Sequence, residues 1–322
     1  MQLISIGDFV DLITVVNEKG IKFIKSKFYF SRAKRMESTW QCIYNNSSDW
    51  WLVPKIRKRW NFIISGNEQV TYPDFVVEKY LNKKNNLKML SIGCGGGTAE
   101  IAFSKHPCFE TILAIDISPK IIEHAKQKIT TNDPILHFEC KNFITMDLNE
   151  QKFDVIHFNS SLHHFFNIEI ALNKVKKILK KDGIMIINEY VGPNRFQWTK
   201  TRLLFINKVL KEIIPQSHKY RLNNRIKKNN VYRVGWLRSV FSDPSEAIYS
   251  AQILKLIHAN FTTIAEVELG GNLLHPLLKD IAHHFIEENS INSGLLQKLF
   301  LLEDQLMVSE NYSDFIFGIY SK

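Results

Sequence analysis

From about residue 86 the chain alternates between two hydrophobic periods. Short apolar runs of strand length, LKMLSIG, TILAIDI, ILHFEC, FDVIHFN and IMIINEY, are separated by stretches with apolar residues at helical spacing. In SPKIIEHAKQKI, Ser118 stands at the N-cap position and Pro119 in the first turn, which predicts a helix start. TAEIAFSK reads as another. In IEIALNKVKKILKKDG, Ala171, Val175, Ile178 and Leu179 share one stripe; lysines crowd the end, and Gly183 follows as a stop. Strands alternating with helices in this way predict a parallel sheet with helices on both faces.

The rhythm stops after VGPNR. Residues 192–242 combine helix-like apolar runs with a basic segment at 219–238. SDPSEAIYSAQILKLI predicts a clean helix start, with Asp243 as cap, Pro244 first and Glu246 third. FTTIAEVEL and SDFIFGIYSK read as strands, with helical stretches around 273–287 and 293–308 between them. Residues 1–71 lack the strand–helix rhythm and read as a mainly helical N-terminal cap. The expected organisation is this cap, then an α/β domain over 72–322 carrying a helical and basic insertion at about 192–242. No internal repeat or low-complexity linker interrupts it.

Composition narrows the picture. With 322 residues, 45% of them apolar, the chain has material for one α/β domain with additions. The formal net charge of +10 admits an acidic partner such as a phosphate-bearing substrate, nucleic acid or an anionic membrane. Heavy use of Lys, Asn and Ile reads as a coding bias behind much of that excess. Cys42, Cys94, Cys108 and Cys140 form no CxxC pair and no metal spacing, so they read as reduced thiols of a cytoplasmic protein. The N-terminal MQLISIGDFVDLITVV carries Asp8 and Asp11 and no basic leader, which makes a poor signal peptide. No apolar run reaches the length of about 18 residues that predicts a transmembrane segment.

The candidate chemistry begins at LSIGCGGGTAE, residues 90–100. Four glycines within five positions cost folding free energy unless the turn needs positive φ or close backbone approach. Such a turn between a first strand and its helix is the ligand seat of a doubly wound sheet. Two ligand classes compete here, dinucleotides and S-adenosylmethionine. The dinucleotide pattern GxGxxG is not met: Gly93, Gly95 and Gly97 are followed by Thr98 at the sixth position. Asp116 ends the second strand, where a carboxylate accepts both ribose hydroxyls of either ligand.

FDVIHFNSSLHH and LKKDGIMIINEY separate the two. Together with LSIGCGGG, AIDISP and CKNF, in that order and spacing, they make the chain resemble a class I S-adenosylmethionine-dependent methyltransferase over about residues 72–190. The resemblance implies a Rossmann-like seven-stranded methyltransferase sheet with helices on both faces and antiparallel final strands, here with the N-terminal cap and an inserted lid. It implies S-adenosyl-L-methionine as cofactor and S-adenosyl-L-homocysteine as product. By position, it places Gly93, Cys94, Gly95 and Gly97 at the methionine and sulfonium side and Asp116 on the ribose diol. Ile117 would pack on adenine, Asn142 and Phe143 would flank it, and Asn159 would lie beside the methyl group. Two positions depart from the family pattern. Many relatives carry an acidic residue where Ser91 stands, which helps orient the methionine amino group. Many carry Asp at position 142, where Asn still accepts through its amide oxygen.

The acceptor is less legible. A (D/N)PP(Y/F) loop after strand four would indicate exocyclic-amine chemistry; Asn159-Ser160-Ser161-Leu162 stands there instead. His163 and His164 follow, and His is the usual base near neutral pH, with His164 the first candidate. Glu189 ends the fifth strand at the same rim and is a candidate acceptor ligand. His275 is a further candidate from the last third. His283 and His284 read as surface, and no metal site is expected. Arg57 or Arg59 offers a partner for the methionine carboxylate. These features point to methyl transfer at the oxygen of a small-molecule or glycan-precursor acceptor, enclosed by the additions. RNA or protein as acceptor, with the basic 219–238 segment docking nucleic acid, and a catalytically inactive binding protein are the alternatives.

Overall fold

The computed structural model describes residues 8, 48–129, 135–148, 150–222, 226–235 and 245–322. Most of the expected N-terminal cap, and the expected helix start at Asp243 and Pro244, lie outside them.

Seven strands form one sheet. They are β1 (Leu87–Ile92), β2 (Phe109–Asp116), β3 (Leu136–Cys140) and β4 (Phe153–Asn159), then β5 (Leu179–Tyr190), β6 (Thr262–Gly270) and β7 (Phe315–Ser321). The order across the sheet is β3-β2-β1-β4-β5-β7-β6. The pairs from β3 through β5 are parallel, and β7 runs antiparallel to β5. The helices are α1 (Pro54–Ser65), α2 (Tyr72–Val76), α3 (Thr98–Ser104), α4 (Pro119–Gln127) and α5 (Ile168–Ile178). Beyond them come α6 (Lys200–Glu212), α7 (Ile253–Asn260), α8 (Leu274–Leu278) and α9 (Ser290–Glu310).

Parallel strands are covered on both faces, so they read as near-continuous apolar runs. Residues 183–190 of β5 are all buried, and in β1 only Lys88 is exposed. Leu90, Ile156, Phe158, Met185 and Ile187 of the sheet meet Leu172 and Val175 of α5 and Ile253 and Ile257 of α7 in one core. Each fully buried aliphatic side chain there stabilises the fold by about 1.5–3 kcal/mol. β1 lies between β2 and β4, so the chain changes direction across the sheet there. The crevice beyond the carboxyl ends of such strands is where open α/β sheets bind ligands.

Two helix limits differ from the sequence reading. The helix expected to run to Gly183 stops at Ile178, and β5 starts at Leu179. Leu179 pairs with Phe153, and the next paired residues are Val155 and Ile184, so residues 180–183 form a bulge. A Cβ on Gly183 would meet Leu179 Cδ1 at 2.8 Å and the Asp154 carbonyl at 2.9 Å, so Gly183 serves this close approach and not a helix stop. The helix expected from Pro244 begins at Ile253, after a 3₁₀ turn at Ser250–Gln252. Ala247 upstream holds φ = +47°, which no helix admits.

The chain divides into two units. The sheet unit comprises Asn61–Val191, Ile248–Glu268 and Phe315–Lys322. The second comprises residues up to Trp60 with Gly192–Ala247 and Leu269–Asp314. In the second unit, the side chain of Arg202 is fully buried and donates to Asp314 (2.8 and 3.0 Å), to Glu310 (2.8 Å) and to the Tyr312 hydroxyl. Two cations of the basic segment, Lys228 and Arg221, are engaged within the same unit. Lys228 Nζ donates to the carbonyls of Pro276, Leu277 and Lys279 at 2.6–3.0 Å and so closes the end of α8. Arg221 pairs with Asp280. Arg59 pairs with Asp304 and lies 4.8 Å over the Phe300 ring. His275 sits among Trp50, Phe196 and Trp198, with ring centroids 5.3–6.1 Å apart. His283 bonds Ser48, and His284 bonds the Tyr220 carbonyl.

Candidate functional site

The glycine loop leaves β1 with Gly93, Gly95 and Gly97 at φ of +69°, +52° and +73°. The N–H groups of Gly93 and Cys94 both donate to the Ile115 carbonyl, at 2.8 and 3.0 Å, which ties the loop to the end of β2. The three glycines answer to different neighbours. A Cβ on Gly93 would lie 2.6 Å from Ser161 Cβ, and one on Gly97 would overlap the Phe138 ring. A Cβ on Gly95 would meet nothing within 4 Å. Packing therefore requires glycine at 93 and 97, whereas Gly95 borders open space that a ligand can fill.

Asp116 faces that loop. Its Oδ2 accepts from the Gly95 N–H at 3.1 Å and its Oδ1 from the Ser118 N–H at 2.9 Å. Burial pushes its carboxyl up from the usual range; the two N–H bonds and the nearby His164 act against that shift. Ser118 holds the N-cap position of α4, but its hydroxyl makes no cap bond. Ile117, next to Asp116, is 43% exposed, an apolar face open at the carboxyl edge of the sheet. A carboxylate, a glycine without a wall and an open apolar side chain fit the ribose, backbone and adenine requirements of S-adenosylmethionine.

Two expected adenine neighbours sit differently. The amide oxygen of Asn142 accepts the Ile144 N–H at 2.9 Å, which leaves one of its two lone pairs, and the residue is exposed. Phe143 is buried edge-on against Phe158 and Phe165 and packs into the core. Asn159 is half-buried and accepts from Asn188 Nδ2 at 3.0 Å.

The turn after β4 is organised by Glu189. Its carboxylate is fully buried and accepts the N–H groups of Ser161 (2.9 Å), Leu162 (2.7 Å) and Tyr190 (2.9 Å), and it bonds His163 Nδ1. Ser161 Oγ donates to the Ile92 carbonyl at 2.6 Å and fastens the turn to β1. Glu189, expected to bind an acceptor, is thus engaged within the protein, because β4 and β5 pair through Asn159 and Asn188 and bring their ends together. The expectation that His164 is the leading base shifts as well. His163 Nδ1 bonds the Glu189 carboxylate, and the His164 ring lies against that of His163 at 4.1 Å between centroids.

A second buried polar cluster went unread in the sequence. Tyr72 Oη lies 3.0 Å from His157 Nε2, and His157 Nδ1 lies 3.0 Å from Ser91 Oγ. Ser91 Oγ donates to Glu100 Oε1 at 2.5 Å. Burial, then the charge of Glu100, pushes the Tyr72 hydroxyl well above its usual value, so it stays protonated. The thiol of Cys94 is pushed well up by burial, then by the negative charges of Glu100 and Asp116. Both carboxylates therefore bear on the same loop. The available signals were a histidine inside an apolar strand, at FDVIHFN, and an acid three residues past the last glycine.

Fold and loop together define a class I S-adenosylmethionine-dependent methyltransferase. Residues 83–281 match the model of a family described as a methyltransferase domain, and the chain belongs to that family. Among curated proteins it is similar to a malonyl-[acyl-carrier protein] O-methyltransferase of Acetivibrio thermocellus, at 31% identity over 111 residues, 34% of this chain and 38% of that protein. It is also similar to a ubiquinone biosynthesis O-methyltransferase of Pelagibacter ubique, at 32% identity over 114 residues, 35% of this chain and 46% of that protein. The chain thus spans less than half the length of either relative. Among solved structures it is similar to a phosphoethanolamine N-methyltransferase 2 of Haemonchus contortus in complex with S-adenosyl-L-methionine. That likeness has a TM-score of 0.49 at 13% identity and covers 84% of this chain and 56% of the other. No helix among the described residues is long and apolar enough to cross a membrane.

Proposed function

We propose that this methyltransferase moves the methyl group of S-adenosyl-L-methionine to a hydroxyl oxygen of a small molecule or glycan precursor. The observation that carries the reading is the Glu189–His163 pair at the end of β4. With Nδ1–H committed to the buried carboxylate, the imidazole is held in the tautomer whose lone pair is on Nε2. That nitrogen takes the proton a hydroxyl gives up as it becomes a methyl ether. Glu189 is a positioning residue: it holds the 160–164 turn and the ring, and does not touch the acceptor. When bound, the cofactor supplies an electron-poor methyl carbon on a sulfonium sulfur. The loop around Cys94 and Gly95 lets the chain pass close to it, Asp116 takes the ribose hydroxyls and Ile117 covers the adenine. The names of both curated relatives, each an O-methyltransferase, support oxygen as the acceptor atom. The buried, internally paired Arg221 and Lys228 weigh against RNA as acceptor. Free thiols at Cys94, Cys108 and Cys140 support a reducing, cytoplasmic setting.

The test is label transfer from methyl-labelled S-adenosylmethionine into fractions of a host extract, with Asp116→Ala as the cofactor control. Label in the small-molecule or lipid-linked glycan fraction is the expected result; label in RNA or protein overturns the acceptor class. His163→Gln is expected to cut transfer by about 10²–10⁴-fold with S-adenosylhomocysteine affinity unchanged. Full transfer by that variant rules the base out.

A further inference from the structure

Glu100 is a buried acid that the reading of the loop leaves unused. Its residue is 1% exposed, yet among the described residues no lysine or arginine pairs with it. A buried carboxylate without a cation is costly unless it neutralises or a cation is brought to it.

The hydrogen bonds around it run in one direction. Tyr72 Oη has no other acceptor among the described residues, so its proton goes to His157 Nε2. The other ring nitrogen, Nδ1, then carries the hydrogen and donates to Ser91 Oγ, whose own proton goes to Glu100 Oε1. His157 Nδ1 also lies 3.4 Å from Glu100 Oε1, so the imidazole faces the same carboxylate oxygen that Ser91 bonds. Three donors in series polarise one another and end on one oxygen. The other, Oε2, is buried and has no partner. The chain of donors runs from α2 through β4 to Ser91 near the end of β1, two residues before Gly93, and fixes which way the carboxylate faces.

We infer that Glu100 Oε2 receives the ammonium group on the amino-acid end of the cofactor, with Tyr72, His157 and Ser91 as the clamp that holds the carboxylate for it. This rests on the proposed seat for S-adenosylmethionine at the glycine loop and adds the residue that reads its amino-acid end. Asp116 and Glu100 then divide the ligand: one carboxylate takes the ribose, the other the ammonium, with the Cys94–Gly95 backbone between them. An ammonium donating to a carboxylate is a charge-assisted bond, among the stronger kinds a binding site offers.

The experiment is calorimetry on the full chain with two ligands that differ in one group: S-adenosylhomocysteine and its analogue lacking only the amino group. The wild type is expected to prefer S-adenosylhomocysteine by about 30-fold, within the range of one charged hydrogen bond. Glu100→Gln, which keeps an acceptor for Ser91, is expected to remove that preference and to bind the deaminated analogue within about twofold of the wild type. Equal weakening of both ligands, or of neither, overturns the inference. If the variant does not fold, the wild-type preference decides alone, and a ratio below about threefold overturns it. Failure of the wild type to bind S-adenosylhomocysteine, the deaminated analogue or 5′-methylthioadenosine would overturn the cofactor seat itself, and the inference with it. Binding of 5′-methylthioadenosine without discrimination between the other two would overturn the inference alone.

Discussion

Arg202 in the second unit and Glu100 in the sheet unit are both buried charges, and their surroundings are opposite. Arg202 is closed: Asp314, Glu310 and Tyr312 take its donors, and the guanidinium also lies 5.1 Å over the Tyr312 ring. Glu100 is open: one oxygen ends a chain of hydroxyl and imidazole donors and the other has no partner. A buried charge satisfied by the protein holds structure together, whereas one left half-satisfied marks a place where a ligand completes the set. Glu303 lies between these cases. Its Oε1 accepts from Gly271, Leu273 and Leu274 at 2.9–3.3 Å, while Oε2 lies against Gly270, where an added Cβ would come within 2.6 Å of it. That oxygen too is buried without a hydrogen-bond partner among the described residues, but three N–H groups hold the other one.

The largest expected effect breaks the closed cluster. Arg202→Ala leaves Asp314 buried without its cation and is expected to cost about 3–5 kcal/mol, read as a lower urea midpoint. Glu100→Gln removes an unpaired charge and is expected to leave that midpoint unchanged or higher. A large stability loss there would make Glu100 structural and end the contrast.

Next in size, Asp116→Ala is expected to weaken S-adenosylhomocysteine on the order of 100-fold, as two charge-assisted bonds to the ribose are lost. Retained affinity in calorimetry would remove Asp116 from the ribose role.

Two glycines of one loop sharpen the same distinction at smaller scale. Gly97→Ala drives a Cβ into the Phe138 ring at a left-handed φ and is expected to cost about 1–3 kcal/mol of stability. Gly95→Ala carries only the backbone strain, about 1–2 kcal/mol, because its Cβ meets nothing within 4 Å. Its main effect is expected on cofactor affinity. Equal loss of affinity from equally folded Gly97→Ala would show that both glycines face the ligand.

The smallest effect is a pH dependence. Burial raises the Glu303 carboxyl from 4.5 to about 7, against the pull of its N–H partners and of Arg59. The folded state therefore holds this proton more tightly than the unfolded chain. The stability it contributes is full below the ordinary value and is lost as pH rises through about 7. The urea midpoint of the wild type is expected to fall between pH 5 and 8, and Glu303→Gln to flatten that part of the fall. An unchanged slope in the variant would assign the dependence to other groups.

The parallel sheet and its glycine loop were readable in one dimension because both depend on local periodicity and backbone freedom. Apolar runs of strand length are what burial on both faces demands, and clustered glycines are what a tight turn with positive φ demands. Asp116 was readable for the same reason, since it ends a strand at the switch of direction. The limits of α5 were not, because Leu179 has the composition of either element and pairing with Phe153 decided it. Nor were the functions of the polar groups. His163 and His164 are neighbours in sequence, and nothing along the chain shows that Glu189 arrives from β5 to bond His163 Nδ1. Glu100 and Ser91 are nine residues apart, His157 comes from β4 and Tyr72 from α2, and nothing in their spacing announces a single hydrogen-bonded line. The sequence by itself determined the sheet, the glycine loop and the place of Asp116 at the end of β2, since these follow from steric and hydrophobic rules along the chain. Tertiary structure alone decided which buried charges are closed and which are open, because that depends on atoms brought together from distant segments.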